Sequence, residues 1–455
     1  MSRRAVWEQL YKRFDPLQPA MARAWRADRE RSPANAILTV LNLDFSDPRV
    51  ILTGTVGTGK STELLRIAEA RASRDFVVLV DLHRHFADVM GDEQALERVE
   101  SWEVVFLAGI SLVRAASELL PYPIPKEYLE SLGRAWEKLA KATGAPEAAV
   151  DVGALAKEMV VLASAAVAPL AVGMAAGAAA AAVGLKTLEA AAGAVKWALP
   201  IGRGQRSLPD QDNAMQTLLA AVNVIVGHVQ SKFRRVVFVI DGLDRIRDFD
   251  RARALFLQSE MIAQLACPVV VCGPFALRSH PAAGAIPRFS KICVLVNEPV
   301  MQEADPAAPG PGVPFFCELY RRRTADLNAK DLISNELLER LAYYSGGRAR
   351  DFVRFIRMLA EGGWTEDAES STPTLVNNVL DEARRLLETG LDAGHIEVLE
   401  QLAADPKRRL PADERARELL SYGQLLPYPN ESEWYYPHPL LTMHLVRTSR
   451  SGSTG

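Results

Sequence analysis

The 455-residue chain carries 53 Lys and Arg against 56 Asp and Glu, a net charge of −3, with 49% hydrophobic and 24% charged residues. At about 100–200 residues per domain this length makes two to four units, and the charge balance disfavours nucleic acid as the main partner without excluding one basic face. Four cysteines (Cys267, Cys272, Cys293, Cys317) show no metal-ligand spacing and read as buried thiols of a reducing compartment. The N-terminus has no apolar leader, so the expected location is cytoplasmic.

In chain order, residues 1–48 read as a polar helical segment with Trp7, Leu10, Tyr11 and Phe14 at helical spacing. "RVILT" then predicts a strand, followed by a glycine loop and an amphipathic helix, and "DFVVLVDL" predicts a second strand. Residues 92–150 are expected to be helical, broken by "PYPIP" at 121–125, and a helical insert spans about 92–205. "MQTLLAAVNVIVGHVQ" is a helix, and "RRVVFVID", "CPVVVCG" and "KICVLVNEP" are strands. The proline–glycine stretch "PAAPGPGVP" (306–314) reads as a linker closing a core of 49–305. Helices are expected at 329–344, 349–361 and 374–388, and a hairpin with a polar turn at Asn430–Glu433 within 425–441. Strands alternating with helices predict an α/β fold on a parallel sheet.

The chemistry is concentrated at Gly54-Thr55-Val56-Gly57-Thr58-Gly59-Lys60-Ser61, which fits G-x-x-x-x-G-K-[ST] between a strand and a helix. Glycines let backbone N–H groups converge on a polyphosphate at a helix N-terminus. Lys60 supplies an ammonium to the outer phosphates, and Ser61, with Thr62 beside it, supplies a hydroxyl for Mg²⁺. Asp241 ends the strand "VVFVID", where an acid can hold Mg²⁺ opposite Ser61, and Asp244 is a candidate to position water. The implied cofactors are ATP and Mg²⁺. His83 and His85 lack a third ligand and read as structural.

Together the loop, "VVFVIDGLD", "CPVVVCG" and "SGGRARDFVRFIRML" resemble the AAA+/STAND branch of P-loop ATPases over roughly residues 40–365. The resemblance implies a P-loop ATPase core, a helical lid (315–370) and a C-terminal winged-helix-like domain (371–455). It places Arg350, with Arg348 as the alternative, at the γ-phosphate, and Arg278 at the arginine that follows the third strand. It also expects a polar sensor at the tip of "VVVCG", where this sequence has no Asn or Thr, and a Glu after the metal acid, where it has Gly242. The second departure predicts slow turnover, which makes a nucleotide-gated switch as plausible as a motor. In "EWYYPHPLL", Trp434, Tyr435 and Tyr436 suit a half-buried hairpin, and His438 reads as packed.

Residues 159–185 carry no charge and are alanine-rich. The phosphate loop precedes this run and Asp241 follows it, so an odd number of membrane spans is excluded, and Glu189 and Lys196 make a second span costly. A small-residue packing helix, conditional membrane insertion and the membrane hairpin of KAP-type P-loop NTPases stay open. The expected protein is therefore an ATP-binding switch acting on a protein partner or on itself. A KAP-type membrane-associated NTPase and a DNA-handling initiator or transposition-helper ATPase are the alternatives.

Overall fold

The computed structural model describes residues 2–43, 45–142, 150–164, 185–190, 201, 211–279, 288–327, 329, 331–429 and 433–446. From the N-terminus come α1 (Arg3–Arg13), α2 (Pro33–Leu41), β1 (Arg49–Thr53), α3 (Lys60–Arg71) and β2 (Phe76–Asp81). Next are α4 (Leu82–Arg84), α5 (Ser101–Leu119), α6 (Lys126–Ala142), α7 (Val152–Glu158), β3 (Val161–Ser164) and β4 (Leu185–Leu188). The middle continues with α8 (Asp212–Lys232), β5 (Val236–Asp241), α9 (Phe249–Arg253), β6 (Val269–Gly273) and β7 (Lys291–Val294). The remainder is α10 (Val313–Thr324), α11 (Asn335–Tyr344), α12 (Ala349–Thr365), α13 (Pro373–Glu388), α14 (Ala393–Ala404), α15 (Glu414–Tyr422), β8 (Leu425–Tyr428) and β9 (Trp434–Pro437).

Two compact units result. Unit 2 comprises residues 33–53 and 63–294; unit 1 comprises 1–32, 54–62 and 295–455. The proline–glycine stretch at 306–314 lies inside unit 1, and the division falls before it, between Val294 and Leu295.

Unit 2 is built on a seven-stranded sheet ordered β4-β3-β2-β5-β6-β1-β7. The strands β2, β5, β6, β1 and β7 pair in parallel. Their sequences are near-continuous β-branched runs, as expected for strands covered on both faces, and every residue of β5 and β6 is buried. Helices α5 and α6 pack on α8, and a capping box formed by Glu100 and Glu103 starts α5.

The apolar run departs from the helical expectation at both described ends. Val161–Ser164 is a strand antiparallel to β2, and Leu185–Leu188 pairs antiparallel to it in turn. The physical cause is the open edge of β2. Ser164 Oγ accepts from Val77 N–H (3.0 Å) and donates to Asp75 O (3.3 Å), tying the run to that edge. Residues 165–184, including Gly173 and Gly177, lie outside the described residues. Among the described residues no helix is long and apolar enough to cross a membrane.

Unit 1 has its own core, in which Val6, Trp7 and Leu10 of α1 meet Phe352, Ile356 and Leu359 of α12. α14, α15 and the β8–β9 hairpin pack together as a winged-helix-like group. Trp434, Tyr435 and Tyr436 are all buried, more fully than a half-buried hairpin would have them. Trp434 stacks on Tyr428 at 4.6 Å, and Asn430 lies outside the described residues.

Candidate nucleotide-binding site

The glycine loop belongs to unit 1, and its shape follows from its residues. Gly57 and Gly59 have φ of +94° and +103°, values that side-chain-bearing residues adopt only under strain. These turns expose the carbonyls of Val56, Gly57 and Thr58 to three donors from outside the loop. Arg348 Nη2 and Nε donate to Val56 O at 2.8 and 3.2 Å. The backbone N–H of Arg350 donates to Gly57 O at 3.0 Å. Arg29 Nη2 donates to Thr58 O. In a trans peptide the C=O and the following N–H point in opposite directions. Holding these three carbonyls outward therefore aims the N–H groups of Gly57 and Gly59 to the other side, as in an anion nest, while the N–H of Thr58 turns back to Thr55 O at 3.4 Å.

Lys60, at the start of α3, is 4% exposed, and its ammonium donates to Gly54 O (2.7 Å) and Thr55 O (2.8 Å). Thr58 Oγ1 donates to Thr55 O at 2.9 Å, closing the turn internally. Ser61 and Thr62 follow in the first turn of α3, half-buried, and Thr62 Oγ1 accepts from Ala20 N–H at 3.5 Å.

The arginines anticipated at the lid divide their work. Arg350 meets the loop through its main chain. Arg348 meets it through its guanidinium, which also lies 2.8 Å from Asp351 Oδ2. Burial opposes ionisation of Asp351, but the charges of Arg348 foremost, then Arg354, His438 and Arg350, outweigh it and hold the carboxyl below its ordinary range. Two residues at the loop were not singled out from the sequence. Arg29 is ion-paired to Glu298 at 3.1 Å and lies over the Phe315 ring at 4.8 Å. Asn297 is buried, with Oδ1 at 3.3 Å from Thr55 Oγ1. Arg29 is one arginine in a polar stretch and Asn297 one amide at the end of an apolar run, and neither has a spacing that flags it.

In unit 2 the acidic ends of the strands form a second cluster. Parallel register sets Asp81 of β2 beside Asp241 of β5. Asp241, Asp244 and Cys272, at the end of β6, each bring a ligand atom within 4.8 Å of the others. The two carboxylates fit Mg²⁺, which seeks oxygen, whereas the sulfur of Cys272 is not a ligand for it. Cys272 stands at the strand tip where the resemblance expects a polar sensor. Burial first, then the neighbouring Asp241 carboxylate, push Asp81 up to about 6, against the N–H of Arg84 that it caps.

Gly242 explains the missing glutamate. Its φ is +100°, and a Cβ there would come within 2.7 Å of the backbone nitrogen of His83. His83 itself faces Glu93 (2.6 Å), and His85 is buried, with burial pushing it down to about 4. Arg278 is exposed at the end of the turn after β6. All four cysteines are buried.

A mostly parallel sheet in which β1 runs through the glycine loop into α3 gives the chain the fold of a P-loop NTPase. The mostly parallel α/β sheet, the helices that follow it in the chain and the winged-helix-like group agree with the fold class expected from the sequence. No family model and no curated protein matches the chain. Among solved structures it is similar to the ORC2 protein of Aeropyrum pernix in its ADP form, at 13% identity over 94% of each chain and a TM-score of 0.44. It is also similar to the Aeropyrum pernix ORC1 protein solved in complex with DNA (11% identity, 96% of each chain, TM-score 0.38). A third is Drosophila ORC bound to DNA (13% identity, 95% of this chain and 89% of that one, TM-score 0.35). Likeness of this degree identifies neither substrate nor partner.

Proposed function

We propose that the chain is an Mg²⁺-dependent, ATP-binding switch of AAA+/STAND type that hydrolyses slowly. The observation that carries this reading is the outward anchoring of three successive loop carbonyls by Arg348, Arg350 N–H and Arg29, with Lys60 buried beside them. A loop held this way meets an incoming polyphosphate already shaped, so little ordering remains to be done on binding.

In this reading residues 54–62 bind the phosphates, with Lys60 at the outer ones. Ser61 on the loop and Asp241 on the sheet each offer an oxygen to Mg²⁺, which when bound supplies charge neutralisation to the phosphates. Asp244 positions water, and Arg350 reads the γ-phosphate. Gly242 occupies the place of the usual carboxylate, which supports slow turnover and a switch over a motor. The output is a change of contacts with a protein partner or a second copy, since a ligand moves a conformational equilibrium only through differential contacts in the two states.

Single-turnover hydrolysis of Mg–ATP tests the reading. Slow cleavage is expected in the wild type and none in Asp241→Asn. Cleavage at the wild-type rate in that variant would remove Asp241 from the site. Liposome flotation and a salt titration of DNA binding, run beside it, decide whether membrane or DNA replaces protein as the output.

A further inference from the structure

Two buried side chains tie the phosphate loop to the C-terminal hairpin within unit 1. Asn297 is 1% exposed. Its Oδ1 accepts from Thr55 Oγ1 at 3.3 Å, and its Nδ2 donates to the carbonyl of Pro427 in β8 at 3.2 Å. One amide thus uses its two ends on the two structures it separates.

The second tie runs through Arg348. Nε and Nη2 hold Val56 O, and Nη1 lies 2.8 Å from Asp351 Oδ2. Beyond that carboxylate, 3.9 Å away, is Nε2 of His438, the residue after β9. His438 Nδ1 accepts from Leu440 N–H at 3.3 Å, which places the ring proton on Nε2, facing Asp351. The guanidinium also fills the space beside Gly423, after α15, where a Cβ would come within 2.3 Å of Nη1.

Both ties end on adjacent residues, Thr55 and Val56, in the first half of the loop. A buried amide or guanidinium that loses one partner bears the full cost of its desolvation. Displacement of Thr55 or Val56 by a bound phosphate is therefore transmitted to Pro427 and His438 in preference to breaking either tie. Nothing in the glycine motif requires this, because the motif residues satisfy their own geometry through Lys60 and Thr58.

We propose that Asn297 and Arg348 are positioning residues that couple occupancy of the phosphate loop to the arrangement of the C-terminal hairpin. The inference rests on the nucleotide reading of the loop. Coupling of this kind is reciprocal, so the hairpin sets nucleotide affinity by the same factor as nucleotide shifts the hairpin.

The test is amide hydrogen exchange on the full chain, without nucleotide and with saturating Mg–ATP, with binding followed separately by a fluorescent ATP analogue. In the wild type, nucleotide should change exchange across 425–437 by about fivefold or more, the low end of ordinary coupling energies. Asn297→Ala should reduce that response to under about twofold, and Arg348→Lys, too short to span Val56 O and Asp351 together, should do the same. A purely structural role would lower the melting temperature of Asn297→Ala and leave its hairpin response intact; that result overturns the proposal. If the wild type binds no nucleotide, the reading of the loop fails, and the ties are judged without ligand. His438→Gln, placed in the hairpin, must then accelerate exchange of residues 54–61 by about fivefold, and unchanged exchange overturns the coupling.

Discussion

Gly242 shows how one residue can fix the character of the site. A left-handed φ of +100° and the closeness of His83 leave no room for a side chain. Gly242→Glu should therefore not create a fast ATPase. The expected outcome is a stability loss of about 1–3 kcal/mol or more from backbone strain, read by urea unfolding, with no gain in turnover. A hydrolysis rate raised tenfold would mean that the backbone can relax there. The loop glycines were legible in the sequence because each position excludes a side chain: Gly57 and Gly59 by a left-handed φ, Gly54 because a Cβ would come within 2.3 Å of Leu295 O. Arg29 and Asn297 were not, since a single buried polar residue is defined by partners distant in sequence. Arg348 was half legible: its place after the glycine pair pointed to the loop, but its anchoring of Val56 O and its pair with Asp351 depend on the fold.

At the scale of elements, α1 is part of the unit 1 core and not a detached polar segment. Trp7 is fully buried, and its Nε1 donates to Ala368 O at 2.8 Å, just past the end of α12. Trp7→Ala should cost about 3–5 kcal/mol, measured by chemical denaturation; a change under 1 kcal/mol would mean that α1 does not hold α12. The five parallel strands of the sheet were legible from their apolar, largely β-branched runs. β3 and β4 were not, because the alanine-rich run has no period of two, its valines are scattered, and Leu185–Leu188 carries no β-branched residue but Thr187; the open edge of β2 decided their conformation. The hairpin at 425–437 was legible from its aromatic and proline punctuation, whereas the burial of all three of its aromatic residues depends on packing that alternation alone does not specify.

For the whole molecule, two buried histidines make stability depend on pH. Burial holds His438 down at about 3 and His85 down at about 4, against 6.5 for an unperturbed imidazole. Their folded pKa values lie below the unfolded one, so the contribution is intact above pH 6.5 and is lost as pH falls toward the folded values. Each adds a slope of up to about 1.4 kcal/mol per pH unit in that window. Denaturant titrations from pH 7.5 to pH 4.5 should show this decline, and His438→Gln should make it shallower. An equal slope in the variant would mean that His438 takes up its proton over the same pH range folded and unfolded.

The division into two units also bears on the proposed site, because Arg29 and Arg348, which donate to the carbonyls of the glycine loop, belong with that loop to unit 1. Calorimetric titration of Mg–ATP into the wild type and into Lys60→Ala tests that site most directly. Saturable one-to-one binding is expected in the wild type, lost in the variant while its far-ultraviolet spectrum and melting remain those of a folded chain. Equal affinity in both proteins would contradict the proposed site.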